Sequence, residues 1–278
     1  MLRLLLSDND DSFTLNLAHL LHAATGCTPH VINHRSLSLL YENSFGAAVK
    51  GCKRQPPGRA DIPAGIHNTG TANAKAATTE PHAVEPSEFL ATQTARLNGD
   101  FQRSDSELTG MPQTHSTVAA ACKPARFTAD SSHASRLRME HFDLVVISPG
   151  PGSPDEYPHY APLLQCGIPV LGICLGMQII NRHFGGNVQP LAGCVHGKPD
   201  TVTMQDVQRT ITVGRYHSLH CTSVGNGLEV TGTNPQGIVM ALRHTSVPMY
   251  GYQFHPESFL TDQGVWCIRH ALRSMRLI

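Results

Sequence analysis

The sequence predicts an α/β fold in which an open, mostly parallel sheet is flanked by helices. The chain opens as strand, helix and strand, with an apolar run at residues 2–6, a helical stretch that Gly26 ends, and a second strand at 28–33. Two later runs, at 142–148 and 169–173, are almost continuously apolar, which is typical of strands buried on both faces. Strands that are separated by helices pair in parallel, with right-handed crossovers.

The first helix should begin after Ser12, because a serine hydroxyl can accept from the free N–H groups of a first helical turn. Leu17 and Leu21 share one face of this helix, which should pack on the sheet. The turn at residues 8–12 follows the first strand, at the sheet edge where open α/β folds place their sites.

Short alternating segments follow residue 186, and they predict an added antiparallel layer packed beside the parallel sheet. An amphipathic helix should close the chain at residues 262–275. The alternating segments lie at 201–204, 210–213, 228–231, 238–243 and 249–254.

Residues 44–134 differ in composition from the rest of the chain. They contain no Trp or Tyr and few branched aliphatic residues, but many Ala, Thr, Ser, Gly and Pro. Such a segment cannot bury enough apolar surface to offset the entropy lost on ordering. We therefore expect a single domain over residues 1–278, interrupted by a long, low-complexity and mostly disordered insertion at 44–134. Its histidines are too scattered for a metal-binding tract, so a solvated linker is the favoured interpretation.

Charge and cysteine content argue against several classes of protein. The 278-residue chain carries 21 Lys and Arg against 21 Asp and Glu, which gives no electrostatic reason to expect a nucleic-acid or membrane partner. Its eight cysteines show no C-x-x-C spacing, which argues against a disulfide framework and a structural zinc site. No signal sequence and no apolar run of about 20 residues is evident. We expect a soluble, cytoplasmic protein.

The stretch Gly172-Ile173-Cys174-Leu175-Gly176 joins a predicted strand to a predicted helix. Glycines on both sides of a nucleophile permit the strained turn that projects one side chain above a sheet. The positive end of the helix dipole favours a thiolate there. Cys174 is therefore a candidate nucleophile; the alternative is a small buried hydrophobe, the usual role of a free cysteine.

A base and an orienting group for such a nucleophile occur near the C-terminus, in Phe254-His255-Pro256-Glu257. Pro256 stiffens the backbone and should hold the imidazole and the carboxylate in a fixed relation. Cys174, His255 and Glu257 thus form a candidate triad, in which the histidine takes the thiol proton and the glutamate orients the histidine.

Several motifs in register resemble one family. The stretch G-I-C-L-G-M-Q around Cys174 and the later F-H-P-E-S are similar to the class I (triad) glutamine amidotransferases. Further stretches resemble the glutaminase subunits that serve chorismate-using synthases, the family of anthranilate synthase component II and the para-aminobenzoate synthase glutaminase. A match of several motifs is specific where one alone would be weak. These further stretches lie at 8–14, 148–154, 196–198 and 215–219, and the likeness covers residues 1–43 and 136–278.

The resemblance implies a flavodoxin-like fold and hydrolysis of L-glutamine through a γ-glutamyl thioester on Cys174. It implies that the N–H groups of Gly152 and Leu175 form the oxyanion hole, and that Gln178 reaches the substrate. An ordinary position on the helix surface is the alternative for Gln178. No metal or cofactor is expected in this chain, and Mg²⁺ is expected on the synthase partner. The implied glutamine-binding residues are Gly150, Pro151, Gly152, Leu175, Gln178, Ser218 and Leu219.

The partner implied by the resemblance is a chorismate-binding synthase subunit in a hetero-oligomer. It is expected to consume the ammonia, because this sequence shows no second catalytic module. The acceptor reaction is anthranilate synthesis for tryptophan, aminodeoxychorismate synthesis for folate, or both. Two alternatives are less well supported. Residues 8–14 argue against a glutaminase of guanylate or carbamoyl phosphate synthesis, and the intact triad argues against a non-enzymatic binding subunit.

Overall fold

The computed structural model describes residues 1–45, 137–193 and 196–278. Within these ranges, no helix is long and apolar enough to cross a membrane. The α-helices are α1 (Thr14–Thr25), α2 (Leu37–Phe45), α3 (Ala161–Gln165), α4 (Leu175–His183) and α5 (Gly264–Ser274). The strands are β1 (Leu4–Asp8), β2 (His30–Asn33), β3 (Leu144–Ile147), β4 (Val170–Ile173), β5 (Asn187–Pro190), β6 (Lys198–Met204), β7 (Arg209–Arg215), β8 (Leu219–Ser223), β9 (Leu228–Thr233), β10 (Val239–His244) and β11 (Met249–Tyr252).

Five strands pair in parallel, in the order β2-β1-β3-β4-β11. This is the strand order of flavodoxin-like doubly wound sheets. β1 lies inside the sheet, where Leu5 pairs with His30 of β2 and with Val145 of β3. The predicted mostly parallel α/β sheet is therefore confirmed.

The antiparallel strands continue this sheet instead of forming a separate layer beside it. β10, β9, β6 and β7 follow β11 in the same nine-stranded sheet. β11 is the junction, because it pairs in parallel with β4 on one side and antiparallel with β10 on the other. Alternation in a sequence shows which face of a strand is buried, but it does not identify the neighbouring strand. A separate two-stranded sheet pairs β5 with β8, which the sequence did not predict.

Helices cover both faces of the parallel strands. In β1, Leu4 and Leu6 point into one apolar cluster and Leu5 into the other, as strand geometry requires. The first cluster contains the buried faces of α1 and α5, and the second those of α2, α3 and α4. The predicted closing helix is present as α5, which buries Ile268, Leu272 and the following Met275, with Trp266 partly buried against them.

The start of α1 differs from the prediction. The helix begins at Thr14, and two aspartates organise its first turn instead of Ser12. Asp11 accepts a hydrogen bond from the backbone N–H of Phe13 at 2.9 Å, and Asp8 accepts from the Thr14 hydroxyl at 2.7 Å. Carboxylates are favoured at the positive end of a helix. The predicted end of the helix is confirmed, since Gly26 adopts a left-handed φ of 74° there.

The boundary of the insertion also differs by a short segment. α2 extends to Phe45, and the hydroxyl of Ser44 accepts a hydrogen bond from the backbone N–H of Met139 at 2.6 Å. Arg138 donates to the backbone oxygen of Asn43 at 2.9 Å. Ser44 thus belongs to the packed fold, and the chain leaves and re-enters it at adjacent points. Residues 46–136 lie outside the described ranges, so their predicted disorder stays a prediction.

Replacing residues 46–134 with a few Gly and Ser residues should leave the melting temperature within a few degrees of the full chain, as measured by calorimetry. The ends of the segment already meet, and the free energy of loop closure changes by only about 0.6 kcal/mol for each doubling of loop length. A matched shortened chain with Ser44→Ala should melt lower, because it leaves the Met139 N–H without its acceptor. Unfolding of the first variant would show that the segment is structural.

Candidate active site

Cys174 occupies a strained backbone position between β4 and α4. Its φ and ψ are 53° and −102°, a conformation that L-residues rarely adopt and that costs about 1–3 kcal/mol. The residue is only 7% exposed. Leu175 is the first residue of α4, so the sulfur lies at the positive end of the helix. This is the strand-to-helix turn that the sequence predicted.

The flanking glycines explain why the turn can form. A Cβ on Gly172 would lie 2.4 Å from the carbonyl carbon of Gly176, and a Cβ on Gly176 would lie 2.5 Å from the backbone oxygen of Ile147. Any larger residue at either position would push α4 away from β3 and β4. The two glycines therefore set the height of Cys174 above the sheet.

His255 and Glu257 form a buried pair. Nδ1 of His255 lies 2.7 Å from Oε1 of Glu257, and the carboxylate is completely shielded from solvent. Nε2 of His255 is buried and makes no hydrogen bond of normal geometry within the described ranges. Cys174 interacts electrostatically with this ring. The structure thus brings the three residues of the predicted triad together.

The charge state of His255 follows from its neighbours. Burial is the largest single influence and opposes protonation, but the charges of Glu257 and Cys174 act in the other direction and together raise the pKa of His255 well above its usual range. An imidazolium is therefore favoured between Glu257 and the Cys174 sulfur. Such a pair supplies a nucleophile and a proton donor at the same site.

Two aromatic rings enclose His255, and the sequence analysis did not single them out. The ring centroids of Phe13 and Tyr216 lie 5.6 Å and 5.0 Å from the imidazole centroid. The Tyr216 hydroxyl is 2.9 Å from the Ser258 hydroxyl. Both rings belong to motifs identified above, at 8–14 and 215–219. Membership in these motifs was the sequence signal that could have identified them.

The loop at residues 149–152 packs against the start of α4. A Cβ on Gly150 would lie 2.5 Å from the Cβ of Asn9 and 2.9 Å from a methyl carbon of Leu175. Gly152 has a left-handed φ of 74°, and the backbone oxygen of Pro151 accepts from the Tyr157 hydroxyl at 3.0 Å. The loop and the first N–H groups of α4 are thus neighbours. That Gly152 and Leu175 bind an oxyanion stays a prediction.

Gln178 is buried inside an amide network and is not a helix-surface residue. Its Nε2 donates to the backbone oxygen of Leu219 at 3.2 Å and to Oε1 of Gln253 at 3.1 Å. Two of the predicted substrate residues, Gln178 and Leu219, are therefore in direct contact. Ser218, the next predicted residue, is exposed, and its backbone oxygen accepts from Leu191 N–H at 2.7 Å.

Comparison with known proteins identifies the family. The model of the class-I glutamine amidotransferase family matches residues 112–275. The chain belongs to this family. It is a glutamine amidotransferase, and the fold described above is that of this class.

Three curated proteins similar to this chain are named for anthranilate synthase or for tryptophan biosynthesis. The chain is 42% identical over 147 residues to anthranilate synthase component 2 of Archaeoglobus fulgidus, which covers 51% of this chain and 80% of that protein. Anthranilate synthase component 2 of Halobacterium salinarum is 41% identical over 148 residues, covering 49% and 75%. A multifunctional tryptophan biosynthesis protein of Pichia angusta is 40% identical over 146 residues (47% of this chain), and the match covers 39% of its length.

A solved structure supports the fold alone. A candidate GMP synthase component from Thermoplasma acidophilum aligns over 99% of this chain and 94% of its own, with a TM-score of 0.54 and 16% identity. At that identity the likeness concerns architecture and not the acceptor reaction.

Next to the triad of this amidotransferase, His217 is held in its neutral form. Its Nε2 accepts from Nε of Arg215 at 3.1 Å, and its Nδ1 lies 2.8 Å from the backbone oxygen of Leu219. Arg215 is buried and pairs with Asp200 at 2.5 Å. Burial, with a contribution from the Arg215 charge, lowers the pKa of His217 to about 4. A neutral imidazole thus fixes the Leu219 carbonyl.

The described ranges show no candidate metal site, and their cysteines are free. These ranges contain no group of three or more His, Cys, Asp or Glu residues that could hold a metal ion. The histidines of the insertion lie outside these ranges. The five described cysteines are free thiols: Cys27, Cys166, Cys174, Cys221 and Cys267.

Glu257→Gln should lower kcat for glutamine hydrolysis about 100- to 10,000-fold, measured as glutamate release. The amide removes the charge that stabilises the imidazolium while keeping nearly the same shape. Glu229→Gln is a matched control, because Glu229 pairs with Arg243 at a half-exposed surface position, and it should leave kcat unchanged. Wild-type activity in Glu257→Gln would contradict the role given to this carboxylate.

His217 should make the fold sensitive to acid. Its folded-state pKa of about 4 lies below the ordinary value of 6.5, so unfolding takes up a proton below that value. The contribution of His217 to the free energy of unfolding is fully present above about pH 6.5. It falls by about 3 kcal/mol at most as the pH drops toward 4. Urea unfolding should therefore show a smaller loss between about pH 7.5 and about pH 4.5 for His217→Asn than for the wild type. Equal losses would show that His217 is not the responsible group.

Proposed function

We propose that this chain hydrolyses L-glutamine to glutamate and ammonia on Cys174 and delivers the ammonia to a chorismate-binding synthase, which makes anthranilate for tryptophan biosynthesis. The observation that carries the chemical part is the buried His255–Glu257 pair beside a cysteine held on a strained turn. The likeness to anthranilate synthase component 2 from several organisms supports the acceptor.

The first half of the reaction forms a thioester. The Cys174 thiolate attacks the side-chain carboxamide carbon of glutamine, and the oxyanion that develops is stabilised by the N–H groups of Gly152 and Leu175. As the tetrahedral intermediate collapses, the carbon–nitrogen bond breaks and His255 gives its proton to the departing ammonia. Glu257 balances the imidazolium charge until that transfer.

The second half regenerates the enzyme. His255, now neutral, takes a proton from water, whose oxygen attacks the thioester carbonyl. The carbon–sulfur bond breaks, glutamate leaves, and Cys174 returns to the thiolate beside an imidazolium. The balance is one glutamine and one water in, and one glutamate, one proton and one ammonia out.

The substrate is proposed to lie between the loop 149–152 and the Ser218–Leu219 segment. Gly150, Pro151 and Gly152 supply a wall without bulky side chains, and Gln178 connects the base of the site to Leu219. No step needs a metal or cofactor on this chain, and Mg²⁺ is assigned to the synthase partner.

The tryptophan acceptor is supported by the names and extent of the relatives. The component 2 proteins of Archaeoglobus fulgidus, Thermococcus kodakarensis and Halobacterium salinarum match over 75% to 80% of their length. The Pichia angusta protein, of which the match covers 39%, is also named for tryptophan biosynthesis. A folate acceptor, with aminodeoxychorismate as the product, would use the same glutaminase chemistry. A cytoplasmic location accords with the free thiols.

Co-purification tests the acceptor. The tagged chain, isolated from its own host, should carry a chorismate-binding protein, and the complex should convert chorismate and glutamine to anthranilate, detected by its fluorescence. Formation of aminodeoxychorismate alone would move the assignment to folate synthesis.

Cys174→Ser should abolish glutamine-dependent product formation by the complex and leave ammonia-dependent formation within about twofold. A serine hydroxyl ionises far less readily than a thiol, so the attack on glutamine fails while the synthase is untouched. Cys166→Ser, at a half-exposed cysteine of the α3 turn, is the matched control and should preserve both activities. Loss of both activities in Cys174→Ser would show that the residue serves folding or the synthase step.

A further inference from the structure

Gln253 lies between β11 and His255 and is fully buried. Its Nε2 is 3.6 Å from Sγ of Cys174, which is hydrogen-bonding distance for a sulfur acceptor. Its Oε1 accepts from Gln178 at 3.1 Å. Neither the triad nor the oxyanion loop accounts for this buried carboxamide.

The orientation of the Gln253 amide can be deduced from a backbone carbonyl. The oxygen of Leu219 can only accept, so Gln178 must turn its NH₂ group toward it. The second hydrogen of that NH₂ group then points to Gln253, which must present its oxygen. The NH₂ group of Gln253 is therefore left facing the sulfur. The flipped amide would instead place the NH₂ groups of Gln178 and Gln253 against each other.

We propose that Gln253 is a positioning residue that donates an N–H to the Cys174 sulfur and links it through Gln178 to the Ser218–Leu219 segment. The proposal rests on the glutaminase mechanism given above. It adds a second partner for the sulfur, independent of His255, and a physical connection between the nucleophile and the proposed substrate segment.

A neutral donor has a function that His255 cannot perform alone. His255 loses its proton to the departing ammonia, and it must then be neutral to accept a proton from water. The N–H of Gln253 does not titrate, so it remains available to the sulfur when the carbon–sulfur bond breaks and negative charge returns to Cys174. Donation to a charged acceptor is stronger than donation to a neutral one.

Other groups near the sulfur do not replace this donor. His255 and Glu257 approach from the loop after β11, the Cys221 thiol from β8, and Asp11 and His217 lie around the imidazole. The thiol of Cys221 is held un-ionised, because burial raises its pKa to about 12. Unlike these groups, Gln253 is an uncharged amide whose N–H contacts the sulfur directly.

Alkylation of the full chain by iodoacetamide tests the proposal without glutamine or a partner. Gln253→Met keeps the length of the side chain and removes the donor, so the rate at Cys174, followed by peptide mass spectrometry, should fall about 10- to 100-fold. The rate at Cys166 in the same samples is the internal reference. Gln178→Met should also slow alkylation of Cys174, because the Gln253 amide is then free to flip.

Thr231→Val is the matched structural control. It removes another buried hydrogen bond of the same sheet, between the Thr231 hydroxyl and the Tyr250 hydroxyl at 2.9 Å, and should leave the alkylation rate at Cys174 unchanged. If Gln253→Met does not fold, Gln253→Glu takes its place, since its carboxyl can still accept from Gln178 but presents no amide to the sulfur.

Kinetics give the second measurement. In glutamine hydrolysis, the folded Gln253 variant should lower kcat about 10- to 100-fold and leave KM within about threefold. A wild-type alkylation rate, an equal slowing in Thr231→Val, or a rise in KM with unchanged kcat would each overturn the proposal. Failure of the glutaminase mechanism is a separate result, seen as glutamine-dependent activity in Cys174→Ser.

Discussion

The close approach of α4 to β4 is the constraint on which the site depends. Gly172 and Gly176 pack backbone against backbone, and this contact forces Cys174 into a left-handed conformation that an isolated chain would avoid. The packing of α4 compensates for that strain, because Met177 and Ile180 are fully buried in the core beneath it. The nucleophile is thus presented by a closely packed part of the fold, and that packing maintains its position.

β11 explains how residues almost 80 positions apart meet with the required accuracy. Tyr252 pairs with Ile173 in the parallel register, and the N–H of Cys174 donates to the Tyr252 carbonyl at 2.7 Å. The residues that follow these two strands are therefore side by side: Cys174 on one, and Gln253 to Glu257 on the other. The antiparallel side of β11 fixes the same segment from the other direction, since Gln253 N–H donates to Met240 of β10. A shift of one residue in either ladder would turn Gln253 away from the sulfur.

The sequence was sufficient for features that local chemistry decides. Apolar runs located the parallel strands, and the glycine spacing located the turn at Cys174. It was insufficient where the outcome depends on distant partners. Ser12 has the chemistry of a helix cap, but Asp8, at the end of β1, and Asp11, in the turn that follows, accept the hydrogen bonds of the first turn. Gln253 carries no local signal, since an amide beside a sulfur becomes visible only when β4 and β11 are paired.

The pairing of β1 with β3 has a consequence for how the protein is made. About 110 residues lie between Asn33 and Leu144, so at about 5–20 residues per second the ribosome needs roughly 5–20 s between synthesising β2 and β3. During that time β1 has a neighbour on one side, and on the other its apolar edge at Leu4 to Leu6 is open to strand addition by other chains. The long interval between these strands therefore exposes the nascent chain to aggregation before β1 is paired on both sides. The recovered yield in a foreign host will then depend on translation speed and chaperone supply as well as on the stability of the finished fold.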